Sequence, residues 1–385
     1  MKKLFIFTLF LFPLGEVFRF DFGFGVVIRP IDIAIAILVL SWLVLKILNK
    51  QKIKNEDILT AIFLFAISGF FSLIISSLDL SLSEFLISFS YLLRWIAYAG
   101  IFFVIGDFDR GFKEKIKSFL IAIGALIVGL GYLQYFSYSN LRNLFYLGWD
   151  EHMCRMFSIF LDPNFAGAFF VLFFLFQINI FLKKKNTLTG ILLALTLGAV
   201  FLTFSRSALI MLIISSSLMF VLMNKKAWIA ILLGITFLVI IVSSRYFSIE
   251  NINLFRVVSS EARLETAKKA VQIIRAHPVF GIGFNAYRYA KLGYPLRNDS
   301  SRLVSHADAG VDNSLLFVIA TTGFVGFILY LFLWFKILKR TSILVIASIV
   351  GVFIDSMFIN SLFYSLIMLW LWMIIALNPK PKENR

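Results

Sequence analysis

The 385-residue sequence predicts an all-α polytopic membrane protein, and three features predict it. Hydrophobic residues make up 60% of the chain and charged residues only 15%, against a charged share of about 25% in soluble domains. The apolar residues fall in long runs, many of them near the roughly 20 residues a helix needs to cross about 30 Å of hydrocarbon. Unbroken runs also argue against a membrane β-barrel, whose strands alternate polar and apolar positions.

In order, the runs cover residues 4–18, 31–48, 58–77, 84–105, 116–136, 164–182, 188–204, 207–223, 228–242, 313–335, 343–359 and 362–377. They predict about 12 transmembrane helices in a single integral membrane domain spanning residues 1–385. The first run follows Lys2 and Lys3 as a secretory signal would, but Glu16 and bulky Phe18 stand where a small-residue cleavage site is needed. It is therefore expected to remain as an uncleaved span. Pro13 and Gly15 interrupt it, which leaves eleven spans as the alternative.

The net charge of +16 must first be tested against the positive-inside rule. With the N-terminus cytoplasmic, alternate connections collect Lys46, Lys50, Lys52, Lys54, Lys113, Lys115, Lys183 to Lys185, Lys225, Lys226, Lys339 and Arg340. The short connections on the other side hold only Arg19, Arg29, Arg142, Arg155 and Arg206. Both termini are thus expected in the cytoplasm, and most of the basic charge is topogenic, which removes the main support for a nucleic-acid partner. The long polar segment 243–311, after the ninth span, falls outside. Cys154 is the lone cysteine, so no intramolecular disulfide or cysteine cluster can form, and His152, His277 and His306 are too scattered for a zinc site. No metal and no cofactor is expected.

Arginines on the outer side stand out once the lysines are assigned inward. Arg206, beside Ser205 in LTFSRSALI, sits near the positive start of the eighth span. A cation there is disfavoured by the helix dipole unless an anion joins it, so it is either a snorkelling turn residue or half of a phosphate site. Asp162 in FLDPNFAGAFF reads as an N-cap before Pro163, with Asn164 and the small Ala166, Gly167 and Ala168 allowing close approach of a ligand or a neighbouring helix. Arg94 and Asp355 lie within spans, where ionisable groups are functional candidates or local pairs.

Within the outer segment, residues 259–276 show helical spacing of Leu264, Ala267, Val271 and Ile274, with Arg263, Lys268, Lys269 and Arg275 on other faces, until His277-Pro278 stops the helix. Such an amphipathic basic helix is expected on the headgroup layer, where Arg263 would be a second cation available to a lipid-linked phosphate. PVFGIGFNAYR follows as a glycine-punctuated turn without the strand a nucleotide-binding loop requires. Asp312 marks the return into the membrane, as an N-cap or a general base, followed by Asn313 and by Gly323 and Gly326, expected as two notches on one helix face.

Three separated stretches, LTFSRSALI, ARLETAKKAVQIIRAHPVFGIGFNAYR and DNSLLFVIATTGFVG, resemble the O-antigen ligase and polymerase superfamily in order and spacing, and FLDPNFAGAFF resembles its Asp-Pro-Asn element. The motif-bearing region is 160–335. The resemblance implies a GT-C-like, metal-independent, inverting glycosyltransferase of the bacterial inner membrane with its active site facing the periplasm. Its implied donor is an undecaprenyl diphosphate-linked glycan, and its acceptor a sugar hydroxyl of lipid A-core or of another glycan. By motif position Arg206 and Arg263 match the family's two functional arginines. The family's histidine, followed by Asn, Ser or Gln, nine residues and Gly-x-x-Gly, is here Asp312, with the rest of the motif intact. Asp312 (ordinary pKa ~3.9) or His306 (~6.5) is left to take the proton. Asp162, Asn164, Ser205, Asn313 and Arg94 complete the substrate-binding candidates. A polymerase extending lipid-linked repeats is the alternative within the class. A transporter or lipid flippase is the alternative outside it, disfavoured because no repeat between halves is evident and the polar segment is asymmetric.

Overall fold

The computed structural model describes residues 1–22, 26–244, 258–293 and 310–380, and the chain there is almost wholly helical. After α1 (Lys2–Phe10) and a 3-10 turn at Phe12–Leu14, β1 (Phe20–Asp21) and β2 (Val27–Ile28) pair antiparallel, Phe20 opposite Ile28. There follow α2 (Pro30–Leu48), α3 (Glu56–Ile74), α4 (Leu82–Gly106), α5 (Arg110–Ser137), α6 (Pro163–Phe181), α7 (Thr187–Leu202), α8 (Arg206–Leu222) and α9 (Ala227–Ser244). Two further helices, α10 (Val258–Ala276) and α11 (Tyr287–Gly293), precede α12 (Ser314–Leu338), α13 (Ile343–Asp355) and α14 (Ser365–Leu377).

Every apolar run of the sequence contains a helix, but the helices are unequal. Among the described residues six helices, namely α2 to α6 and α12, are long and apolar enough by length and composition to cross a membrane, while α7, α8, α13 and α14 are shorter. The first run is helical only to Phe10, because Pro13 lacks an N–H and Gly15 takes a positive φ of 51°. The centre of the bundle is α6 and α14. Both are apolar on all sides, as helices surrounded by protein must be, and every residue of α14 is buried. Trp370 of α14 packs edge-on against Phe169, Phe173 and Phe176 along one face of α6.

The two ends of the bundle differ in charge chemistry. One end holds Lys46 and Lys54 on Asp107, Lys2 on Asp109, and Arg340 on Asp57 at 2.9 Å. That last pair levels the end of α12 with the start of α3, and the Thr341 to Pro379 bridge levels α13 and α14 with them. From this common level α3, with 19 residues, rises about 28 Å, whereas α13 and α14, with 13 each, rise about 20 Å. The corner joining α13 to α14 therefore stops roughly 9 Å short of the far end of α3, and the level between the two, called the recess below, is where polar helix ends gather under protein cover.

One helix is broken. Gly323 in α12 has φ 65° and ψ −174°, and the segment after α10 passes through the gap. Phe324 N–H donates to Pro278 O (2.8 Å), Ile282 N–H to Ala320 O (3.0 Å) and Gly283 N–H to Thr321 O (3.0 Å). The Ser72 and Ser76 hydroxyls of the α3 end donate to Thr321 O and Ile282 O. Backbone groups released by the break thus find protein partners, the condition for irregular backbone at membrane depth. This corrects the expectation of two notches: Gly326 does approach Ser68 of α3, but Gly323 is a hinge point whose Cβ would sit 2.1 Å from Val279 O.

α10 also differs from its sequence pattern. Its buried face is Ala270 and Ile273, packed with Tyr287, Phe317 and Ala320 in a small second core, and Leu264 and Val271 point outward. The side chains that decided the phase were the small Ala270 and the neighbouring Ile273, not the larger exposed apolar residues.

Candidate active site

Five helix ends meet at the recess: the starts of α6, α8, α12 and α14 and the finish of α13. At α6, Asp162 is an extended N-cap whose Oδ1 accepts from the N–H groups of Asn164 (2.6 Å) and Phe165 (3.3 Å), with Pro163 at the first helical position. Its other oxygen lies 3.9 Å from His152 Nε2. Asn164 Oδ1 accepts from Ser205 Oγ (3.0 Å) and from Arg155 (3.3 Å), tying the start of α6 to that of α8. Arg155 Nε in turn donates to Thr203 O (2.8 Å) at the end of α7, where the helix dipole favours a cation. Gly167 completes this junction, since a Cβ there would meet Ala208 at 2.6 Å.

Ser205 caps α8 through Ala208 N–H, and Arg206 is the first residue of that helix. Arg263 projects from α10 close enough to oppose the charge of Arg206. One turn along α10, Thr266 Oγ1 lies 3.5 Å from Asp312 Oδ2, and Tyr287 donates to Thr266 O (3.4 Å). Burial, reinforced by the Asp312 carboxylate, pushes the Tyr287 hydroxyl up to about 12, so it stays a donor at neutral pH. The cap of α12 is Asn313, whose Oδ1 accepts from Leu315 and Leu316 N–H (2.9 and 3.0 Å), not Asp312 as the sequence suggested.

Asp355, the last residue of α13, is fully buried. Its carboxyl faces the Ser207 and Ser361 hydroxyls and the charges of Arg263 and Asp162, yet neither oxygen completes a hydrogen bond among the described residues. It is not paired with Arg94. That arginine, on α4, sits 3.6 Å from Asp32, which also accepts from Tyr98, and lies over the Tyr91 ring. Arg94 therefore belongs to a second buried network, next to the Arg29–Glu16 pair (3.3 Å), and not to the Arg206 cluster. His306 lies outside the described residues.

The structure thus brings Arg206, Arg263, Asp312, Asp162, Asn164, Ser205 and Asn313 to one end of the bundle. Asn164, Ser205 and Asn313 spend side-chain oxygens on holding helix starts. The sequence reading missed Asp150, His152, Arg155, Thr266 and Tyr287. Asp150 reaches solvent at its edge, but the protein packed around it displaces water, and this desolvation pushes its carboxyl above its ordinary value, with Asp162 and Asp312 adding to the shift and His152 and Arg155 opposing it. Backbone strain collects in the same loops: His152, Cys154, Ser158, Leu161 and Phe204 all hold positive φ. Non-glycine residues there cost about 1–3 kcal/mol each and persist where the surroundings fix them, commonly at functional sites.

Comparison with protein-family models bears on the broad class. Residues 191–331 match the O-antigen ligase family. The matched segment runs from α7 into α12 and carries Ser205, Arg206, Arg263, Asp312, Asn313 and the Gly323 break, while Asp162, Asn164 and Asp355 lie beyond it. The O-antigen ligase match supports a ligase- or polymerase-type function in general terms for this membrane protein. A comparison with curated proteins gives no match.

Proposed function

We propose that the protein is a membrane glycosyltransferase of the O-antigen ligase type, moving a glycan from undecaprenyl diphosphate to a sugar hydroxyl of lipid A-core. The observation that carries this reading is the meeting of Arg206 and Arg263 beside Asp312. Two cations close enough to repel at the positive start of α8 favour the binding of an added anion there. A diphosphate supplies that anion, and its negative charge grows as it departs, so preorganised cations stabilise the transition state more than the bound donor.

In the proposed reaction the acceptor oxygen attacks the anomeric carbon from the face opposite the diphosphate. The new C–O bond forms as the sugar–phosphate C–O bond breaks, and the electron pair stays on the diphosphate between Arg206 and Arg263. The acceptor proton passes to the Asp312 carboxylate, or to His306. Asp312 is a weak base by its ordinary value, so its contribution is largely to orient the acceptor hydroxyl. The Thr266 hydroxyl on α10 lies against Asp312, and Tyr287 donates to the Thr266 backbone oxygen in turn. No step calls on a metal, and the active site is taken to face the periplasm.

A polymerase that extends lipid-linked repeats would use the same machinery with a different acceptor. The test is transfer by purified protein in the presence of EDTA, with lipid A-core and a second lipid-linked repeat offered in separate reactions. Product on lipid A-core is expected. Chain growth on the carrier alone would establish the polymerase instead, and translocation of the donor across a bilayer with no new glycosidic bond would establish a flippase.

A further inference from the structure

The outward face of α10 has a composition of its own. Leu264, Lys268, Val271 and Arg275 recur at i, i+4, i+7 and i+11, which at 3.6 residues per turn places them in one narrow strip. Lys268 and Arg275 thus share the face of Leu264 and Val271 instead of lying on other faces as expected. All four are exposed, Leu264 to 56%. Glu265 and Gln272 fall on the far side of the strip, and Glu261 sits at the helix start, where the dipole favours an acid. The strip therefore alternates apolar side chains with cations and is flanked by the helix's own contact with α12.

What covers this strip follows from its continuation. Just past α10, Val279 and Phe280 are exposed, at 53% and 45%. Their segment is hydrogen-bonded through Pro278 O and Val279 O to the N–H groups of Phe324 and Val325. From there Phe324, Ile328, Leu331 and Phe335 form an exposed apolar stripe down α12, a helix long enough to cross a membrane. Such a stripe has hydrocarbon for its neighbour. The α10 strip is thus the upward extension of a lipid-facing surface, at the height where acyl chains give way to headgroups.

We infer that the strip of Leu264, Lys268, Val271 and Arg275, continued by Val279 and Phe280, is a docking surface for anionic phospholipid headgroups of the membrane the protein spans. The apolar side chains enter the headgroup–acyl boundary, and Lys268 and Arg275 meet lipid phosphates. Arg263, lying between this strip and the α12-packed face, is thereby held at headgroup height. That consequence bears on the proposed diphosphate chemistry; the docking itself does not depend on it.

Nitroxide labels test it in the full chain with Cys154→Ser. Labels at Leu264→Cys, Val271→Cys and, as the aqueous control, Gln272→Cys are read in nanodiscs containing phosphatidylglycerol or phosphatidylcholine alone. In the anionic discs the first two positions are expected to be relaxed more by oxygen than by a water-soluble nickel chelate, and Gln272→Cys the reverse. Lys268→Glu with Arg275→Glu should abolish the difference between the discs. Equal nickel access at all three positions, or immersion indifferent to lipid charge and to the double substitution, would overturn the proposal. Photocrosslinking of lipid from a benzophenone residue at the same positions reads the same contact if a labelled variant fails to fold. Because no transfer is measured, loss of the glycosyltransferase reading would leave this result standing.

Discussion

Arg206 at the start of α8 and Arg263 on α10 lie close enough for the charge of one to act on the other. If they stabilise a departing diphosphate, Arg206→Ala and Arg263→Ala should each lower kcat by about 10²- to 10³-fold, the usual cost of one donor to a developing anion. Melting temperatures of the purified variants should stay near wild type, because neither arginine is deeply buried. The carboxylates make a separate prediction. Asp150, raised above its ordinary value in the fold, is more readily ionised when unfolded, so its ionisation penalises the folded state as pH rises past the unfolded value of ~3.9. Asp150→Asn should therefore raise the melting temperature at pH 7, and the gain should vanish below about pH 4; a gain that persists at pH 3 would remove the ionisation of Asp150 as its cause. At this scale the sequence was legible where topology did the sorting: an outer arginine among inward lysines is conspicuous. His152, Thr266 and Tyr287 lie in a loop, a helix interior and a short helix whose spacing carries no signal of what they face.

The helices themselves were legible from their apolar runs, and two of their ends from Asp162-Pro163 and the His277-Pro278 stop. Two things were not. The break in α12 depends on a partner segment some forty residues away in sequence, so nothing local distinguishes Gly323 from a packing notch. The phase of α10 was set by tertiary contact, which buried small Ala270 and left Leu264 outside. The break predicts its own test. Gly323→Ala combines a positive φ with a Cβ only 2.1 Å from Val279 O and should cost about 1–3 kcal/mol, seen as a lowered melting temperature in detergent. Gly129→Ala in α5, where a Cβ meets nothing within 4 Å, should be neutral or slightly stabilising. Equal effects at the two glycines would mean that the α12 break is not what Gly323 is for.

For the whole molecule, short helices and a one-sided charge distribution make the same arrangement: a lysine-rich end where the helices are level, and an arginine-bearing end where α13 and α14 stop early and leave a recess. The positive-inside rule leads us to propose that the recess faces away from the cytoplasm. An impermeant maleimide applied to intact spheroplasts should accordingly label Arg142→Cys and not Lys184→Cys, both in Cys154→Ser; the opposite pattern would invert the molecule. The central claim is that this recess makes a glycosidic bond by holding a diphosphate between two arginines. Its most direct test is single-turnover transfer from a radiolabelled undecaprenyl diphosphate-linked glycan to lipid A-core in EDTA, comparing wild type with Arg206→Ala and Arg263→Ala. Wild type should give labelled conjugate and released undecaprenyl diphosphate, and each variant the same products about 10²- to 10³-fold more slowly; undiminished transfer by both variants would overturn the role of the arginines.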